Sequence, residues 1–126
     1  MNDVDVNLEK GYDMNPYCEK SLNADNGSCY LEFCYGKQEW TQKYELPDSL
    51  FVEDNAFWCL NINPVFCKAV PSFDMFEMTM ITESQWKEIF RLSHSLDEES
   101  RAVINEINNW TKKAFQYGNT FTVLGV

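Results

Sequence analysis

The strongest constraint on the fold lies in the last third of the chain, where residues 82–117 carry a helical pattern between two strand-like segments, 73–81 and 120–126. From Leu96 the apolar positions run Val103, Ile107, Trp110, Ala114 and Tyr117, flanked by Ile104 and Phe115, which is the three-and-four spacing of one helical face. A face of that width must be covered, and the flanking strands are the natural cover. Thr82 opens the region with a capping box, its hydroxyl placed to bond the Gln85 amide while the Gln85 side chain reaches back. Trp86, Ile89, Phe90 and Ser93 then share a side, and Glu83 stands one turn before Lys87 as an exposed ion pair.

A second capping signature, Ser95-x-x-Glu98, follows at once. Asp97, Glu98 and Glu99 would lie at the positive end of the next helix, with Lys112 and Lys113 toward its negative end and Gly118-Asn119 as the stop. This predicts a second helix of about 22 residues, roughly 33 Å long. The link Ser93-His94-Ser95 is expected to break the helix rather than bend it. A helical hairpin returns residues 120–126 antiparallel to 73–81, whereas one continuous helix would make the two strands parallel.

Upstream, residues 1–27 are polar, with turn signals at Asn15-Pro16 and Asp25-Asn26-Gly27 and one short strand expected at 4–8. Residues 28–35 alternate, with Cys29, Leu31, Phe33 and Tyr35 against Tyr30, Glu32 and Cys34, and predict a half-buried strand. Residues 38–46 alternate again through Trp40, Gln42, Tyr44 and Leu46, so a hairpin across Gly36-Lys37 is expected. Leu50, Phe51 and Val52 read as an apolar plug, 56–62 as a strand ended by Asn63-Pro64, and 65–70 as a short apolar run. In 73–81, Phe76, Met78 and Met80 alternate against Glu77, Thr79 and Ile81. The connections read as too short for crossover helices. The expected architecture is therefore α+β: a mainly antiparallel sheet of five or six strands, a C-terminal helical hairpin on one face and a final short strand, in a single domain over 1–126.

A hydrophobic fraction of 44% with 15% aromatic residues belongs to a folded chain, and the amino terminus has no basic segment leading into an apolar one, so a cytoplasmic protein is expected. Cys18, Cys29, Cys34, Cys59 and Cys67 contain no CxxC pair, and the odd count in a chain able to build a core points to reduced thiols. No metal site and no cofactor is expected. His94, the one histidine, stands between two serines where neighbours in sequence seldom reach catalytic geometry. There is no glycine-rich phosphate loop, no HExxH and no calcium-loop pattern, and nothing selects a working pair among the carboxylates. These absences favour a binding protein over an enzyme, with a small hydrolase using a scattered site as an alternative.

Ten Lys and Arg against twenty Asp and Glu leave a formal charge of −10. Residues 1–60 hold twelve acids and four bases, or −8, while residues 61–126 hold eight and six, or −2. Phosphate binding needs the opposite sign, so nucleic acid is excluded as a partner, and no apolar run approaches bilayer length. Aromatic residues are interleaved with the acids, a pairing suited to anchoring and steering a cationic protein. The expected contacts are Glu39, Trp40, Tyr44, Glu45, Asp48, Glu53 and Asp54, on a sheet face left free by the helices.

In size, acidity and α+β class the chain resembles the immunity proteins that neutralise polymorphic or contact-dependent bacterial toxins, many of them basic nucleases. The resemblance rests on those overall properties, and no family residue carries over. It implies a one-to-one protein complex in which the acidic half covers the toxin's active site or an exosite. An adaptor and a DNA-mimic inhibitor of a basic protein are the alternatives within binding function.

Overall fold

The computed structural model describes residues 15–20, 29–38 and 48–125. In chain order its elements are β1 (Cys18–Glu19), β2 (Tyr30–Tyr35), β3 (Leu50–Glu53), α1 (Asp54–Cys59), α2 (Ile62–Ala69), β4 (Met78–Thr82), α3 (Glu83–Leu92), a 3-10 turn (Ser93–Ser95), α4 (Glu98–Tyr117) and β5 (Thr120–Leu124). The five strands make one sheet in the order β1-β3-β2-β5-β4, every neighbouring pair antiparallel. The α+β class, the antiparallel sheet, the C-terminal helical hairpin and the final strand are as the sequence predicts.

All four helices lie on the sheet face that carries Phe33. Its ring meets Phe57 of α1 at 6.5 Å, Phe66 of α2 at 6.2 Å, Trp110 of α4 at 6.0 Å and Phe121 of β5 at 5.8 Å. Trp86 of α3 closes the ring cluster against Phe66 and Phe121, and its indole Nε1–H donates to Asn108 Oδ1 at 2.9 Å, which ties α3 to α4. Leu31, Val52, Ile81, Val103, Ile104 and Ile107 fill the remaining core with no exposed surface.

The helix signals of the last third act as expected. Thr82 Oγ1 accepts the Gln85 N–H at 3.1 Å while Gln85 Oε1 accepts the Thr82 N–H at 2.9 Å, a complete capping box. The helix breaks at Ser93–Ser95, and β4 and β5 are antiparallel, with Met78 opposite Leu124 and Thr82 opposite Thr120. The second cap is Asp97 rather than Ser95: its carboxylate accepts the Ser100 N–H at 2.9 Å, and that hydrogen bond holds it below the usual carboxylate range. Leu96 is extended, so α4 starts at Glu98 and has 20 residues. On α3 the ion pair that forms is Glu88 with Arg91, not Glu83 with Lys87. Tyr117, placed on the buried face by periodicity, is 72% exposed; its ring lies over Gly36, whose φ is +68°, and against Tyr35 at 5.7 Å.

The middle of the chain departs from the expectation. The plug 50–52 is a strand, β3, and the expected strand at 56–62 is helix α1 with the start of α2. Asn61 turns the chain between them with φ 59°, a left-handed conformation that asparagine tolerates, and Pro64 falls in the first turn of α2, where no amide hydrogen is needed. The connection from β3 to β4 therefore holds two short helices. The expected strand 73–81 shortens to Met78–Thr82. Both edges of β2 are occupied, by β3 and β5, so the expected hairpin between 28–35 and 38–46 is not the pairing this strand makes. Residues 39–46 and the expected strand at 4–8 lie outside the described residues.

The sheet's second face is not free over its central strands. Glu32, Cys34, Thr122 and Leu124, all on that face, are at most 2% exposed. Glu32 is the unexpected member, a carboxylate in the middle of a strand whose Oε2 accepts the Ser49 hydroxyl at 2.6 Å. The free sheet face expected to carry the contacts is therefore not available over these central strands.

Candidate protein-docking surface

β3 runs without a loop into α1, so Glu53 and Asp54 stand where sheet and helix meet. The Glu53 N–H donates to Tyr17 O at 2.8 Å and the Asp54 N–H to Cys29 O at 3.0 Å, which fixes both residues at the start of β1 and β2. Tyr30 Oη–H donates to Glu19 Oε2 at 2.9 Å. Burial, that hydrogen bond and the charges of Glu19 and Glu53 push the Tyr30 phenol up to about 12. Burial, then the charges of Glu99, Cys59 and Glu53, raise Tyr17 in the same way. Glu19, Glu53 and Glu99 thus lie around these two rings as an acidic rim.

α1 carries this rim to a second feature. Trp58, one helical turn after Asp54, is 55% exposed, and its ring meets that of Phe76 at 6.2 Å, with Phe76 itself 53% exposed. Asp74 Oδ1 accepts the Phe76 N–H at 2.9 Å, so a carboxylate is held beside the pair, and the next residue, Glu77, is exposed. Asp54 opens α1 beside the rim and Trp58 stands one turn further along the same short helix, with Cys59 next to it also exposed. An exposed tryptophan and phenylalanine in mutual contact, bordered by carboxylates, form the kind of patch that interfaces use: rigid apolar anchors within a polar, charged margin.

Asp48 is placed elsewhere. It lies at the other end of β3, roughly 16 Å of strand from Glu53 at 3.3 Å per residue. There it adopts φ 62°, and its carbonyl accepts Trp110 Nε1–H at 2.8 Å. A cleft of about 380 Å³ between α4 and the start of β3 is lined there by Lys20, Asp48, Glu106, Trp110 and Lys113, with two lysines against two carboxylates, and so lacks the acidity of the α1 surface. Of the expected contacts, the structure brings Glu53 and Asp54 together and separates Asp48 from them. Glu39, Trp40, Tyr44 and Glu45 lie outside the described residues. Trp58 and Phe76 were missed as contacts, because only the helical placement of α1 and the turn before β4 turn them outward.

His94 is exposed at the helix break and packs edge-on against Phe90 at 5.1 Å. The five thiols are free, with Cys29 and Cys59 exposed and Cys18 and Cys34 buried. Among the described residues no group of three or more His, Cys, Asp and Glu is placed to hold a metal ion, and no helix is long and apolar enough to cross a membrane. No family model, curated protein or solved structure matches the chain.

Proposed function

We propose that this chain is a binding protein that docks a cationic partner protein on the surface built around α1, and that the partner is a basic toxin domain neutralised by the complex. The observation that carries the reading is the exposed Trp58–Phe76 pair with Asp74 and Glu77 beside it, on a helix whose first residue, Asp54, follows Glu53 of the acidic rim. The rings supply desolvated anchors, while the carboxylates and the net −10 steer a basic partner toward them. A reducing, cytoplasmic site of action belongs to this reading and agrees with free thiols at exposed Cys29 and Cys59.

The test measures binding to the toxin product of a neighbouring reading frame, with growth rescue in cells. Association should slow markedly from low to physiological salt, as the Debye length shortens from about 30 Å at 0.01 M to about 8 Å at 0.15 M, and dissociation should change much less. Reversing Glu53, Asp54, Asp74 and Glu77 together to lysine should weaken binding at least tenfold while the protein stays folded, and Trp58→Ala should weaken it through dissociation. Full binding and rescue by the charge-reversed variant would remove the reading.

A further inference from the structure

Among the described residues the two edges of the sheet are unlike. β1 is an edge of two residues, Cys18–Glu19, too short to template another strand, whereas β4 offers the five residues Met78–Thr82. Which backbone groups β4 turns outward follows from its ladder with β5. The Glu83 N–H donates to Asn119 O at 3.0 Å, directly opposite it in the register that continues from Thr82 with Thr120. Residues 83 and 119 are thus a hydrogen-bonded pair, and because such pairs alternate along an antiparallel ladder, Ile81 and Thr79 bond to β5 while Thr82, Met80 and Met78 point their N–H and C=O groups away from it. The Thr82 N–H confirms the parity, since it is taken by Gln85 Oε1 at 2.9 Å on the outer side. The N–H and C=O of Met78 and Met80 remain, and among the described residues no strand or loop bonds to them.

Chemistry around this edge selects an occupant. Asp74 and Glu77 stand at its start and Glu83 at its end, and Phe76, beside exposed Trp58, leads into it. Met80 is 46% exposed on the sheet's second face. We propose that the partner binds by adding an extended, basic segment as a sixth strand along β4, bonded to the backbone of Met78 and Met80, with an apolar side chain against Trp58 and Phe76 and basic side chains meeting Asp74, Glu77 and Glu83. Strand addition draws affinity from main-chain hydrogen bonds and specificity from alternate side chains, and this edge offers both: two backbone-exposing residues, next to an aromatic anchor and three carboxylates. The proposal rests on the reading of a cationic protein partner and specifies how that partner engages.

The test uses a blocked peptide of alternating lysine and valine, its threonine–valine counterpart, and the lysine–valine peptide N-methylated throughout. The lysine–valine peptide should slow amide exchange at Met78 and Met80 about tenfold or more, with Thr79 and Ile81, already bonded to β5, little changed. Met80→Pro removes an outward N–H and leaves the β5 ladder intact, so it should melt like the parent and bind the peptide about tenfold or more weaker. The N-methylated peptide should fail to bind in any case, which decides the matter should Met80→Pro fold poorly. Peptide binding that leaves the Met78 and Met80 amides unprotected, or that survives Met80→Pro and N-methylation alike, overturns strand addition while leaving a charge-driven surface in place. Equal protection by the threonine–valine peptide supports strand addition and removes the cationic partner. A dimer of the free protein at neutral pH and low salt that Met80→Pro dissolves would overturn the proposal, because the edge would then belong to a second copy.

Discussion

Trp110→Ala tests the central packing of the fold. The indole stands on α4 with three rings around it, Phe33 at 6.0 Å and Phe121 at 5.3 Å edge-on, and Tyr35 at 5.6 Å tilted. Its Nε1–H donates to the Asp48 carbonyl at 2.8 Å, pinning the turn before β3 to the helix. Truncating a core tryptophan costs about 3 to 5 kcal/mol, and partial exposure of this one puts it at the lower end. Losing the hydrogen bond contributes about 1 kcal/mol of that, since water can reach the Asp48 carbonyl and replace the donor. Trp110→Ala should therefore cost about 3 kcal/mol, a large part of the 5 to 15 kcal/mol typical of a domain. Trp110→Phe keeps most ring contacts, loses the N–H and should cost about 1 kcal/mol. Urea denaturation followed by circular dichroism measures both, with the alanine variant also melting roughly 10 °C below the parent. A parent-like Trp110→Ala would show that the ring cluster does not hold α4 to the sheet. Equal losses in the two variants would place the energy in the Asp48 contact instead of the rings.

Gly125→Ala should destabilise by about 2 kcal/mol or more in the same assay, because a Cβ there would meet the Glu77 amide nitrogen and the Met75 carbonyl oxygen at 2.6 Å, backbone atoms that cannot yield. Thr82→Ala, which removes one arm of the capping box, should cost about 1 kcal/mol, and Thr82→Ser much less. The thiols should divide in a labelling time course with a disulfide reagent near pH 8. Exposed Cys29 and Cys59 react quickly, while Cys34, pushed up to about 12 by burial and the Glu32 carboxylate, and Cys18, raised by burial, react only as the protein unfolds. Rapid modification of either buried thiol in the native protein would contradict their placement.

What could be read from the sequence was what local chemistry decides. The Thr82 cap, the break at 93–95 and the middle of the buried side of α4 depend on neighbours within a turn or two and appear as expected, while at its ends Asp97 takes the cap expected of Ser95, Leu96 precedes the helix and Tyr117 is exposed. Residues 54–69 were misread because short apolar runs carry no decisive period. Phe57 and Phe66 face the core and Trp58 faces solvent only once the chain is wound into two helices joined through left-handed Asn61. Glu32 was read on the polar side of a half-buried strand, and the hydroxyl that meets its buried carboxylate comes from Ser49, seventeen positions away. The candidate surface was half legible for the same reason: Glu53 and Asp54 adjoin in sequence, but Glu99 and Phe76 come from other elements, and Trp58 is turned outward only by the winding of α1.

An edge strand that no described residue pairs is a hazard that the same charges restrain. The helix break makes β4 antiparallel to β5, that register turns Met78 and Met80 outward, and Gln85 closes the edge at Thr82. Between two copies, Asp74, Glu77 and Glu83 would face their own kind, so edge-to-edge pairing is opposed by like charge at neutral pH. That protection should fail as the solution approaches the isoelectric point near 4.4, where carboxylates take up protons and the net charge of −10 falls to zero. Light scattering should then report self-association near pH 4.4 that reverses on return to neutral pH, and Met80→Pro should suppress it by removing an outward donor. Raising the salt concentration at neutral pH should promote the same association more weakly, since screening reduces the repulsion without abolishing the charges. If Met80→Pro associates as readily as the parent at low pH, the contact lies elsewhere on the surface, and the acids beside β4 do not guard the edge.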